Sequence, residues 1–213
     1  MRSLIYTFAF LRLLSVSVAS FGLNIFMAPN GNDANNGATI TSPVATLKRA
    51  TELANELSIS KQELVQVLVH GGIYRGQSVM IDGDNHRGNI KIIGQSDNGV
   101  DLPVFLGDGS VQTWLTLKAS KARSTGLSVE ALEIRGYFTA ISLEGNRNDV
   151  EAFNANTTIR YNIFRNIGSI AVSEDDAIST AALRFINSRS NIVEYNKFIV
   201  IRNKKRCSSL HAL

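Results

Sequence analysis

An internal echo limits what this chain can fold into more than any other feature. Residues 158–167 read TIRYNIFRNI and residues 192–201 read IVEYNKFIVI. Aligned, Ile159 meets Val193, Tyr161 meets Tyr195, Asn162 meets Asn196, Phe164 meets Phe198 and Ile167 meets Ile201, every pair 34 residues apart. A fainter copy lies 30 residues earlier, with Val129 ahead of Ile159, Ile134 ahead of Phe164 and Tyr137 ahead of Ile167. Self-similarity at such a period marks a chain whose repeats bury their apolar side on one another, because one repeat alone cannot. No period contains a pair of amphipathic helices, which excludes the helical repeat architectures and leaves an all-β solenoid. In such a stack Asn162 and Asn196 would exchange amide hydrogen bonds along the axis; otherwise they are ordinary turn asparagines.

The remainder of the sequence agrees with many short strands. From Val65 onward apolar residues alternate, in VQVLVH, SVMI, NIKII, PVFL and WLTL, each run only a few residues long. Between them lie corners rich in Gly, Asp and Asn: HGG at 70–72, DGDNHRGN at 82–89 and GDG at 107–109. The exception comes early. After a strand and an Asn/Gly loop within residues 24–40, the segment PVATLKRATELANELS carries Ala45, Leu47, Ala50, Leu53, Ala54 and Leu57 at helical spacing, which predicts one amphipathic helix over about 44–58.

Composition narrows the classes further. With 44% hydrophobic and 19% charged residues, neither wholesale disorder nor a polytopic membrane protein fits. The formal charge of +4 favours an anionic partner, but it is scattered and no nucleic-acid motif accompanies it, so nucleic acid is not expected. A single cysteine, Cys207, allows no intramolecular disulfide and reads as a buried or incidental thiol. The opening MRSLIYTFAFLRLLSVSVASFG has an early Arg2, an apolar body and small residues at Ala19 and Ser20, which predicts a signal peptide over residues 1–20 and a mature chain from near Phe21. No later stretch is apolar enough to span a bilayer, so no membrane association is expected after cleavage and the protein is expected to be secreted.

FMAPNGNDANNG, then SPVATLKRATELA, then VQVLVHGGIYRG together resemble the entry of the pectate-lyase-like right-handed parallel β-helix proteins. The resemblance covers roughly residues 24–213, most strongly 24–76. It implies a right-handed parallel β-helix domain over 21–213, whose N-terminal capping α-helix covers strand edges that an open end would leave unpaired. The chain stops at KKRCSSLHAL without a polar capping segment, which predicts that C-terminal coils are missing.

The resemblance further implies a carbohydrate-active protein. Members include lyases that cleave uronate polysaccharides by β-elimination, epimerases, hydrolases and proteins without activity, and fold alone does not choose among them. Elimination requires a neutralised substrate carboxylate, often through Ca²⁺, and a base for the adjacent proton. Glu174, Asp175 and Asp176 in SEDDAIST are the best carboxylate cluster for Ca²⁺, against the plainer reading of a solvated loop. Asp82 and Asp84 are a weaker pair, read first as turn formers. Lys204, Lys205, Arg206 and His211 form a cationic cluster that could hold an acidic sugar and, through Lys205, Arg206 or His211, supply the base; such runs are more often solvated corners. His70 and His86 lack partners at metal spacing and read as structural or exposed, and Tyr74 with Arg75 as packing and corner residues in a turn. The expected partner is an acidic polysaccharide, met either by a lyase or by a non-catalytic scaffold.

Overall fold

The computed structural model describes residues 23–86, 89–96, 101–110, 112–168 and 180–201. Over these residues the protein is all-β apart from one helix. All strand pairings among them are parallel.

The chain enters through β1 (Leu23–Met27) and helix α1 (Leu47–Lys61), then runs through strands in a recurring order. β2 (Leu64–Val69), β3 (Ile73–Arg75) and β4 (Val79–Asp82) come first. They are followed by β5 (Asn89–Gly94), β6 (Val104–Leu106), β7 (Thr113–Lys118) and β8 (Arg123–Ser124). β9 (Leu127–Glu130), β10 (Glu133–Arg135), β11 (Thr139–Glu144) and β12 (Asn154–Ala155) make the next circuit. β13 (Thr158–Arg160), β14 (Ile163–Arg165), β15 (Leu183–Ile186) and β16 (Ser188–Arg189) make another, and β17 (Ile192–Glu194) and β18 (Lys197–Ile199) follow. Corresponding strands of successive circuits lie side by side. Sheet A is β1-β2-β5-β9-β13-β17, sheet B is β3-β6-β10-β14-β18, sheet C is β4-β7-β11-β15 and sheet D is β8-β12-β16.

Strand alternation decides what lies inside. In sheet A, Val65 and Val67 pair with Ile90 and Ile92, these with Leu127 and Val129, and Val129 with Ile159; all are buried. Sheet B contributes Tyr74, Phe105, Ile134 and Phe164, with the Tyr74 and Phe105 rings stacked at 4.9 Å. Each such side chain fully removed from water contributes about 1.5–3 kcal/mol. The register is the one the echo announced: Ile159 opposite Val193, Val129 opposite Ile159, and Ile134, Phe164 and Phe198 in one column. Tyr161 and Tyr195 stack at 5.2 Å with ring planes 6° apart.

The asparagines form the ladder and do more than cap a turn. Asn162 Nδ2 donates to Asn196 Oδ1 at 3.1 Å and to the Val129 carbonyl at 2.9 Å, while its Oδ1 accepts from the Leu132 amide at 3.1 Å. Asn196 Nδ2 in turn donates to the Ile159 carbonyl at 2.8 Å. These bonds satisfy backbone groups at a corner where the strand ladder has stopped. The residue before each of these positions, Ala131, Tyr161 or Tyr195, is left-handed, with φ of 55°, 59° and 53°. Where circuits approach most closely only glycine fits: a Cβ on Gly94 would lie 1.9 Å from the Ala131 carbonyl oxygen.

The helix is displaced three residues toward the C-terminus from its expected span. Val44 is taken instead by a parallel bridge to Met27, and Thr46 is the N-cap, its Oγ1 accepting from the Arg49 amide at 3.2 Å. Asp33 fixes that start by accepting from the Ala45 and Thr46 amides and the Thr46 hydroxyl. The helix ends where Gln62 turns left-handed and its amide reaches the Ser58 carbonyl. Leu47, Ala50 and Ala54 join the core, and no helix among the described residues is long and apolar enough to cross a membrane.

Candidate functional site

Outward positions of the sheets are fixed by the same alternation that fills the core. Charged residues there alternate in sign on sheet A: Lys91, Glu130, Arg160 and Glu194. Lys91 Nζ lies 2.8 Å from Glu130 Oε2, Arg160 Nε 3.0 Å from Glu130 Oε1, and Arg160 Nη1 3.7 Å from Glu194 Oε1. Burial pushes the Glu130 carboxyl up, but hydrogen bonds from Lys91, Ser128 and Arg160 outweigh it and hold the group below its ordinary value. Sheet C is balanced in the same way by Asp82, Lys118, Glu144 and Arg184, with Glu144 accepting from Ser142 and Arg184.

Sheet B is not balanced. Its outward face carries Arg75, Arg135, Arg165 and Lys197 against one carboxylate, Glu133. Arg75, Arg135 and Arg165 share one column and Glu133 and Lys197 the other. Glu133 Oε1 receives Arg165 Nε at 2.9 Å and Arg135 Nε at 2.8 Å, which orients both guanidinium groups while leaving each about a third exposed. Apolar Ile73, Val104, Leu106, Ile163 and Ile199 lie between the charges. A shallow cationic strip with apolar intervals suits a linear anionic ligand better than a compact one.

Sequence reasoning did not pick out these residues. Arg75 and Tyr74 were expected as packing and corner residues in a turn; both belong instead to strand β3, where Tyr74 does pack in the core and donates to the His70 carbonyl at 2.9 Å, and Arg75 is exposed on the sheet B face. The signal was nonetheless present. Once Ile134 and Phe164 align inward, the residues on either side must face out, and EIR beside IFR puts two arginines on adjacent rungs.

The residues expected to carry chemistry have mixed outcomes. Glu174, Asp175, Asp176, Lys204, Lys205, Arg206, Cys207 and His211 lie outside the described residues. Asp82 and Asp84 are turn formers. Asp82 accepts from the Asp84 amide and from Asn85 Nδ2, and Asp84 accepts from the Ser120 hydroxyl and from the Ser120 and Lys121 amides. The Ser120 hydrogen bond is the main cause that holds the Asp84 carboxyl below its usual range. Among the described residues no three His, Cys, Asp or Glu side chains converge as metal ligands would. His86 is buried between α1 and the turn after β4, its Nε2 without a partner, and burial depresses its pKa. His70 stacks on Phe26 at 6.0 Å and borders a shallow pocket of about 400 Å³ formed by the Asn/Gly loop.

No protein-family model matches this chain, and no curated protein or solved structure matches it significantly.

Proposed function

We propose that the chain winds as a right-handed parallel β-helix, a solenoid with α1 over its start, and that it is a secreted protein acting on acidic polysaccharide, a uronate lyase or a related enzyme. Support for the winding comes from the ordered return to four parallel sheets and the in-register columns across circuits. The observation that carries the ligand class is the excess of cations on sheet B, whose outward face holds Arg75, Arg135, Arg165 and Lys197 against Glu133, where sheets A and C balance their charges and the two-residue strands of sheet D add Arg123 and Arg189. The cations of sheet B sit on rungs about 4.8 Å apart, a ladder that an extended chain of carboxylated sugars can follow.

The chemistry falls to Glu174, Asp175 and Asp176, as Ca²⁺ ligands, and to Lys205, Arg206 or His211 as base. All of these residues lie outside the described ones. A non-catalytic carbohydrate-binding scaffold is the second reading. One observation favours it: Glu130, Glu133, Glu144 and Glu194 are all ion-paired, so these sheet carboxylates serve the stack rather than a proton transfer.

The test is incubation with pectate, alginate and glycosaminoglycans, with and without Ca²⁺. A lyase raises ultraviolet absorbance through the unsaturated uronate it forms. Binding without that rise, weakened about tenfold by Arg135→Ala or Arg165→Ala, selects the scaffold. Failure to bind any acidic glycan overturns the reading.

A further inference from the structure

The chain contains one Asn-X-Ser/Thr triplet with X other than proline, Asn156-Thr157-Thr158, among its many asparagines. We infer that Asn156 is an acceptor for asparagine-linked glycosylation, an inference that rests on the export reading above.

Three observations support the position. Asn156 is exposed in the corner between β12 and β13, where the chain turns left-handed at φ 62°. Ser190, which follows Arg189 as Asn156 follows its register partner Ala155, is small, exposed and left-handed at φ 53°, so the equivalent corner position of the next circuit presents a small side chain. The corner joins sheets D and A, so a glycan there leaves the cationic strip of sheet B open. An N-linked glycan needs such a surface turn in an exported protein.

The transfer is a substitution at the sugar. Nδ2 of Asn156 bonds to the anomeric carbon of a lipid-diphosphate-linked oligosaccharide, the bond from that carbon to the phosphate oxygen breaks, the lipid diphosphate leaves, and one amide proton passes to base. Thr157 sets the timing. It is fully buried, its amide donates to Asn191 Oδ1 at 3.1 Å, and its hydroxyl lies 3.1 Å from that of Thr125. A transferase cannot grip the triplet once the corner has closed, so attachment precedes folding.

The experiment produces the whole chain in a eukaryotic secretory host, with a control Asn-X-Thr triplet appended after Leu213. One arm keeps the chain's own leader and a second places residues 23–213 behind an independent export signal. Release by peptide N-glycanase in ¹⁸O water, followed by peptide mass spectrometry, reads each site. Labelled aspartate at 156 is expected, lost in Asn156→Gly and Thr158→Ala and retained in Thr158→Ser; glycine suits the left-handed backbone, so the first variant folds. In the second arm, a glycosylated control triplet with an unmodified Asn156 overturns the inference. Absence of the control glycan from the first arm alone counts against the export reading and leaves the second arm to judge Asn156.

Discussion

The inner circuits and the last described circuit are built from the same pattern, yet only the inner ones have a buried interior. Ile159 and Phe164 are fully buried, whereas their register partners Val193 and Phe198 are 44% and 49% exposed. Leu143 and its partner Phe185 differ in the same way, at 0% and 43%. Side-chain direction is set by each strand's own alternation, but burial is conferred by the circuit on the other side. Beside β2, Ile25 of β1 is buried, and Leu53 and Leu57 of α1 pack against the same core.

The widest separation between the two regions should come from the aromatic column. Phe164→Ala is expected to cost about 3–5 kcal/mol, because the cavity would be sealed from both sides, and Phe198→Ala about 1 kcal/mol. Urea unfolding of both variants checks this, and equal losses would mean that the last circuit is covered in solution. Next come the asparagines. Asn162→Ala strands the Leu132 amide and the Val129 carbonyl in the interior and should cost about 2–3 kcal/mol, against about 1–2 for Asn196→Ala, whose partners water can reach. A double-mutant cycle should give a coupling of about 1 kcal/mol between them; additivity would dissolve the ladder into two independent turns.

Acid sharpens the contrast through His86, which lies on the covered side. Its folded pKa is depressed by burial, so the unfolded chain binds the proton more readily, and stability is complete above about pH 6.5 and declines as pH falls below it. Denaturation midpoints at about pH 7.5 and about pH 5.5 should differ in the native protein and much less in His86→Gln; an unchanged difference would assign the loss elsewhere. Glu130 and Glu144, both held low, give way only below the ordinary carboxylate range near pH 4.3. The smallest effect is expected in the ion ladder: Glu130→Gln about 1 kcal/mol and Glu194→Gln less than about 0.5, both shrinking with salt as unfolding at low and high ionic strength would reveal.

What the sequence disclosed about this molecule was what repeats. Two aligned decapeptides specified the register of β13 with β17 and of β14 with β18, residue by residue, because a slip of one would turn every inward side chain out. Two non-repeating features were placed less accurately. Pro43 marked the helix start on local preference, but Asp33, more than ten residues upstream, moved it to Thr46 by hydrogen bonds that no window across the helix contains. Tyr74 and Arg75 looked like a turn because Gly71, Gly72 and Gly76 surround them, and strand β6 overrode that appearance by pairing with both. The charge imbalance of sheet B was hidden for another reason: it is a sum over four circuits and no single segment displays it.

Since every strand in sheets B, C and D leans only on strands one circuit away, such a chain need not wait for its last residue before its first ones settle. Leu132 finds the amide of Asn162 only 30 positions later, and Asn162 finds that of Asn196 after another 34. A polypeptide emerging from a ribosome can therefore consolidate in the order it is made, each new length adding to a surface already set.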